Sequence, residues 1–317
     1  MGPQATHAPD DGDPYHPPVN AGILDRRILL AFAGVVLLAG SNIVAVRFSN
    51  RELEPFWGAG IRFVGASLIL WAVVVARRHA LPRGRAMAGA IVYGVLSFLV
   101  AYAFFYWGSL EVPAGLGGTI MAAVPLLTVV LAAAHGLEPL RLRAALGAVM
   151  ALAGIALMSS GALEGDVSLV SVVAVAIAAS AAAESGIVLK LTPGAHPVVT
   201  NAVGMSVGAV LLLVLSGIAG ESWRLPEAPS VRIALVYLVV ASPFLFILFV
   251  YVVRRWTATG ASYQFVLFPI VSVIGGAALL GEPVTGALLV GAPLVLLGVY
   301  LGALSEGVSR TAVLVRR

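Results

Sequence analysis

The chain has 317 residues, 60% hydrophobic and 11% charged, with a mean hydropathy of +1.01. A soluble domain is nearer about 45–50% apolar and about 25% charged, so this composition excludes a water-soluble globule and places the chain in a bilayer. The absence of cysteine excludes a disulfide framework and a thiolate metal site. The pI of about 9.7 does not signal nucleic acid, because the basic residues sit at the ends of apolar runs and not on one polar face.

Residues 1–22 form a polar, acidic, proline-rich tail without the basic start and apolar core of a signal peptide. They read as disordered, with His7 and His16 as solvated tail residues. Beyond them, an apolar run of about 20 residues crosses the ~30 Å hydrocarbon core as a helix. Ten such runs follow: 28–46, 56–76, 86–108, 113–135, 144–160, 168–189, 198–219, 231–253, 258–280 and 284–304. None alternates as a membrane strand would, so the expected fold is an all-α membrane protein with ten transmembrane helices. The connections carry breakers such as Glu54-Pro55, Val112-Pro113, Glu138-Pro139 and Glu282-Pro283, and proline is comfortable at a helix start. Trp223, in the longest connection, suits an interface belt. Residues 306–317 form a second tail.

Orientation follows from Lys and Arg. With the N-terminus in the cytoplasm, the loops hold fourteen basic residues on the cytoplasmic side against four outside, with Arg62 left within a span. Both termini are therefore expected in the cytoplasm of a cell (inner) membrane.

The chain repeats itself. Pro125, Glu138-Pro139, Gly147 and Gly154 recur as Pro269, Glu282-Pro283, Gly291 and Gly298, and Ser41, Ile43, Val44 and Tyr93 recur as Ser185, Ile187, Val188 and Tyr237. A constant offset across unlike residues marks an internal duplication, here 23–160 and 161–305. Five spans per copy is an odd number, so the two copies are expected in opposite orientation. Inverted repeats supply two near-equivalent packings that open a central site first to one side and then to the other, the basis of alternating access.

Gly40-Ser41-Asn42 in the first span, Arg62 in the second, and the run Pro125…Glu138-Pro139…Gly147…Gly154 with its copy Pro269…Gly281-Glu282-Pro283…Gly291…Gly298 resemble the EamA branch of the drug/metabolite transporter superfamily. The resemblance covers nearly all of 28–304. It departs at Leu137, where the first copy should carry glycine. It implies transport of small metabolites, often amino acids or related compounds, usually outward.

Polar groups at depth are costly and need a reason. Glu184 lies about six residues, roughly 9 Å, from the cytoplasmic end of the sixth span. A carboxyl so placed can take a proton in one state and release it in another. The run Ala183-Glu184-Ser185-Gly186 to Lys190 is similar to the first helix of the small multidrug transporters, where a glutamate couples protons to export. The alternative is a structural carboxylate bonded to the first or seventh span or to water. Arg62 is expected to snorkel outward or cap carbonyls, ahead of serving as a substrate anion anchor. A depth difference of about 13 Å argues against contact between Arg62 and Glu184. Ser41 and Asn42, and Tyr263 and Gln264 in the other copy, are candidates for binding a substrate or joining helices, and Asn201 reads as interfacial. Phe98, Tyr102 and Phe105 or Tyr106 share one helical stripe whose copy is Ser242, Phe246 and Phe249, a wall suited to aromatic or apolar solutes. Tyr106 and Trp107 also suit an outer interface belt. Pro125 and Pro269 interrupt the backbone ladder and read as hinges lining the cavity.

No metalloprotease motif, nucleotide-binding loop or His/Cys/Asp cluster is present, so no enzyme and no cofactor is expected, and transport must run on a gradient or passively. The expected partners are a small-molecule substrate, the lipid bilayer and protons, without nucleic acid. The competing class is a membrane scaffold or sensor that moves no solute.

Overall fold

The computed structural model describes residues 26–135, 167–192, 195–255 and 258–301, with isolated positions between 142 and 157. The two tails, the Glu138-Pro139 loop and most of the fifth predicted span lie outside the described residues. Among the described residues, seven helices are long and apolar enough to cross a bilayer. They are α1 (Arg26–Ser49), α2 (Pro55–Ala76), α3 (Arg85–Gly108), α4 (Ala114–Ala134), α5 (Leu169–Leu191), α6 (Pro197–Ile218) and α7 (Pro229–Arg255). The shorter α8 (Ala258–Gly275, continued as a π turn over Gly276–Leu280) and α9 (Gly286–Val299) follow. Thus α1 to α4 are the first four predicted spans, and α5 to α9 are the sixth to tenth.

The helix starts are built as the breakers suggest. Pro55 and Pro197 occupy the first turns of α2 and α6, and the Ser168 and Thr285 hydroxyls accept from the backbone N–H of Ser171 and Leu288 to cap α5 and α9. Large apolar side chains such as Leu37, Leu68, Val75, Ile218 and Ile233 point outward. The polar groups Arg62, Asn201, Ser242 and Gln264 are fully buried, so the pattern is that of a bundle whose solvent is lipid.

Packing follows the duplication. Helix α1 lies on α7 and α8, and its copy α5 lies on α3 and α4; α2 meets its own copy α6, and α4 meets its own copy α8. Loop contacts give the directions. The Glu111 carboxylate, after α3, accepts from the Ser168 N–H before α5, and Glu221, after α6, accepts from the N–H groups of Phe56 and Trp57 at the start of α2. Arg47 at the end of α1 reaches Glu282 just after the π turn of α8. These contacts gather the ends of α1, α3, α6 and α8 and the starts of α2, α4, α5 and α7 at one end, called the upper end below. Helix α1 therefore finishes where its copy α5 begins, and the two run antiparallel.

The helices are interrupted where they face the centre. A π turn over Val95–Val100 breaks α3, a feature that the apolar run does not announce. Helix α4 breaks at Ala122–Ala123, and Pro125 opens its second segment, Val124–Ala134, instead of kinking a continuous helix. Pro269 does sit inside α8. Glycines carry the closest crossings. A Cβ on Gly94 of α3 would lie 2.7 Å from the Cα of Gly204 in α6, and one on Gly154 would lie 2.8 Å from the carbonyl oxygen of Gly291 in α9.

Candidate functional site

A cavity of about 100 Å³ lies between the two copies. Asn42, Arg62, Tyr102 and Phe105 line it from the first copy, with Ser185, Phe246, Phe249, Phe265 and Phe268 among the residues of the second.

The aromatic wall is continuous across the halves. Phe98 of α3 packs edge-on against Phe246 of α7 with ring centroids 4.7 Å apart, and Phe246, Phe249, Phe265 and Phe268 continue it at 6.4, 6.2 and 5.0 Å. The edge-to-face geometry suits the ring quadrupoles. Of the predicted stripe, Tyr102 and Phe105 and their copies Phe246 and Phe249 line the cavity, whereas Phe98, Tyr106 and Ser242 pack behind it. Phe265 and Phe268 of α8 were not anticipated. Phe265 is the copy of Met121, which also lines the cavity, and that equivalence was the available signal.

Arg62 forms the polar head of the cavity, and its expected outward snorkelling is corrected here. It is fully buried. Its Nε donates to the Ser242 hydroxyl at 2.8 Å, Nη2 to Asn42 Oδ1 at 3.1 Å and Nη1 to the Tyr106 hydroxyl at 3.3 Å. The guanidinium carbon lies 4.8 Å from the Tyr102 ring centroid and 5.0 Å from that of Phe63. These contacts hold the guanidinium inside the protein, so it does not cap carbonyls at the surface. Tyr106 is likewise a buried partner of Arg62 and not a residue of an interface belt. Asn42 gives its oxygen to Arg62, and its buried Nδ2 has no partner.

The two Ser41-type residues are used differently. Ser41 shares a 2.5 Å hydrogen bond with the hydroxyl of Tyr237, whereas its copy Ser185 receives the Ser97 hydroxyl at 2.8 Å. Tyr93, the copy of Tyr237, instead donates to Asn201 Oδ1 at 3.1 Å. Asn201 also donates to the carbonyls of Pro197 and Phe246. It is thus a buried staple between α6 and α7, not an interfacial residue. Gln264 is fully buried, and neither of its amide atoms has a partner; it does not line the cavity that its neighbour Phe265 lines. The side chain of Tyr263 lies outside the described residues.

Glu184 stands beside Ser185 near the lower end. Its Oε1 lies 3.0 Å from His135 Nε2, and its buried Oε2 has no partner. That partner comes from α4, not from the first or seventh span. His135 closes α4 and Glu184 is seven residues short of the end of α5, a match in depth that the sequence holds but that gains meaning only once α4 and α5 are adjacent. Arg62 and Glu184 have separate partners, as their depths require.

The upper end is heavily bonded. Arg47 Nη1 donates to the carbonyls of Ser109 at 2.6 Å and Leu110 at 3.0 Å, and its Nε lies 3.3 Å from Glu282 Oε1. The Glu282 carboxylate accepts from the Ala114 N–H at 2.9 Å, so it caps α4 of the other copy instead of its own helix. Glu111 takes the hydroxyls of Ser168 and Ser171 at 2.6 and 2.7 Å. Those hydrogen bonds hold its carboxyl below the usual range. Trp223 stacks on Trp57 with centroids 5.1 Å apart.

A family model described as the EamA-like transporter family matches residues 26–160 and again 169–303. The "Uncharacterized inner membrane transporter YedA" of Escherichia coli (strain K12) is 28% identical over 287 residues, covering 86% of this chain and 91% of that protein. The "Uncharacterized transporter YvbV" of Bacillus subtilis (strain 168) is 27% identical over 280 residues, covering 86% and 90%. The "Probable amino-acid metabolite efflux pump" of Salmonella typhimurium (strain LT2) is 24% identical over 291 residues, covering 88% and 95%. A crystal structure superposes with a TM-score of 0.63 at 20% identity, covering 87% of this chain and 98% of the other, a likeness of fold.

Proposed function

Because the chain belongs to the EamA-like transporter family, we propose that it is a ten-helix secondary transporter, built from two inverted five-helix halves, that exports a small organic metabolite by alternating access. The observation that carries this reading is the cavity lined by side chains of both copies. A site at the interface of inverted repeats is exposed alternately when one half rocks against the other. The name of the Salmonella typhimurium relative supports an amino acid or related compound, and the aromatic wall supports an apolar or aromatic body.

The lysine and arginine bias places both termini in the cytoplasm of the inner membrane and makes the upper end the outer one. The bonds around Arg47, Glu282 and Glu111 then close the outer side. Glu184 and His135 stand on the inner side, where a carboxylate–imidazole pair can exchange protons with the cytoplasm. Proton-coupled export through Glu184 follows from that placement.

The test is flux in proteoliposomes across an imposed pH gradient. The parent protein should move an aromatic amino acid or related metabolite faster with the gradient than without it. Glu184→Gln, with an unchanged melting temperature, should move it at a rate independent of the gradient. Full coupling in that variant would exclude Glu184, and no flux of any solute would exclude transport.

A further inference from the structure

The buried guanidinium of Arg62 has no carboxylate beside it. Three of its N–H groups go to neutral oxygens, those of Ser242, Asn42 and Tyr106. Among the described residues no acidic group lies within ion-pair distance of it; Glu282 pairs with Arg47, and Glu184 with His135. A charge taken out of water without a counter-charge is costly. Hydroxyl and amide oxygens and two aromatic faces stand where a counter-charge would be. A guanidinium carries five N–H donors, so donors remain after those three bonds.

Asn42 supplies a second, independent observation. Its oxygen is committed to Arg62, which fixes which way the amide is turned, and its Nδ2 is left buried without a partner on the wall of the cavity. An unsatisfied buried donor costs about 1–3 kcal/mol, so it is retained against a gain elsewhere. Arg62 and Asn42, each with a donor left over, thus both line a cavity whose wall also holds Phe105, Phe246, Phe249, Phe265 and Phe268, with the hydroxyls of Ser97, Tyr102 and Ser185. Among the described residues no aspartate or glutamate lines that cavity, so no carboxylate in it pairs with an ammonium as Arg62 pairs with an anion.

We propose that the cavity binds a compact organic monocarboxylate with an aromatic or branched apolar body, its carboxylate held by Arg62 and Asn42 Nδ2, and that it disfavours the amine of the same skeleton. This deepens the transport reading by naming the substrate class, and its test is binding, which requires no flux. A carboxylate accepts two parallel N–H bonds from a guanidinium and prefers planar donor pairs. The amine meets an unpaired cation and gains nothing from either donor.

Three probes of one skeleton separate the possibilities: phenylacetate with the acid alone, phenethylamine with the amine alone, and phenylalanine with both. Thermal stability of the purified full-length protein reads binding as ligand concentration rises. Phenylacetate should bind about tenfold to a hundredfold more tightly than phenethylamine, the range expected for hydrogen bonds to a charged group, with phenylalanine between them. Chloride at matched ionic strength should give no comparable shift. Asn42→Asp places a fixed carboxylate against Arg62; it should leave the unliganded protein at least as stable as the parent and abolish the phenylacetate response. Asn42→Ala removes the free amide without adding charge and should weaken phenylacetate by about tenfold. The proposal is overturned if phenethylamine shifts the protein as much as phenylacetate, if chloride reproduces the shift, if phenylacetate gives none, or if Asn42→Asp keeps the full response. Phenylacetate binding without flux of any solute would remove the transport reading and leave the anion site standing. Flux with amine-selective binding would do the reverse.

Discussion

Glu282 ties three elements together at the upper end, and removing it should open that end. Its carboxylate caps the start of α4 through the Ala114 N–H at 2.9 and 3.1 Å and meets Arg47 Nε at 3.3 Å. Glu282→Ala removes a cap worth about 1 kcal/mol and a negative charge at the positive end of a helix dipole worth about 0.5 kcal/mol. It also removes a half-buried ion pair worth about 0.5 kcal/mol, the small value because Arg47 keeps the carbonyls of Ser109 and Leu110. Opening separates these groups, so the closed arrangement loses about 2 kcal/mol, or about thirtyfold in the closed-to-open equilibrium. The chain contains no cysteine, so Val46→Cys, on the cavity wall near this end and nearly inaccessible, is a unique thiol. An impermeant maleimide applied from the upper side should label it about thirtyfold faster in the Glu282→Ala background. Glu282→Gln, whose amide oxygen still accepts from Ala114, should fall between. A labelling rate equal to the parent's would refute the latch.

Gly94→Ala should lower the melting temperature in detergent, because the added methyl would lie 2.7 Å from both the Cα and the carbonyl oxygen of Gly204; overpacking against backbone costs about 1–3 kcal/mol, and an unchanged melting temperature would show that α3 and α6 part freely. At the lower end His196 caps α6 and stacks on His79 with centroids 3.9 Å apart. Burial, then His79 and Arg254, hold its proton affinity below the ordinary histidine value. A depressed value means that the stability tied to the neutral ring is fully present above about pH 6.5 and is lost as pH falls through the folded value. Melting should therefore weaken on acidification from neutrality, and His196→Asn, which still caps but does not titrate, should flatten that slope. An identical slope in the variant would remove His196 as its source.

The duplication, and the described helices with their starts, were legible in the sequence because each rests on local chemistry. A run of apolar residues crosses a bilayer whatever its neighbours are, and proline, serine and threonine mark helix starts through groups a few residues away. The aromatic stripe of α3 and its copy in α7 were legible for the same reason. The surroundings of Arg62 were not. Its partners Asn42, Tyr106 and Ser242 stand 20, 44 and 180 residues away, and choosing them needs the lateral order of helices.

That order is hidden because lipid is a solvent as apolar as the protein interior. In water the polar face of a helix shows which side is out, whereas here Leu68 faces outward and Leu70 is buried on the same helix, with nothing in their chemistry to separate them. By itself the sequence determined a duplicated, membrane-spanning chain with prolines and glycines where its helices break and cross. The tertiary structure decided that α1 lies on α7 and α8 while α5 lies on α3 and α4, which brings Glu184 to His135 and seals Arg62 among neutral oxygens at the head of an aromatic cavity. The physical reason is that burial in a bilayer is set by close packing between helices and by the pairing of scarce polar groups, and both are properties of neighbours, not of sequence order.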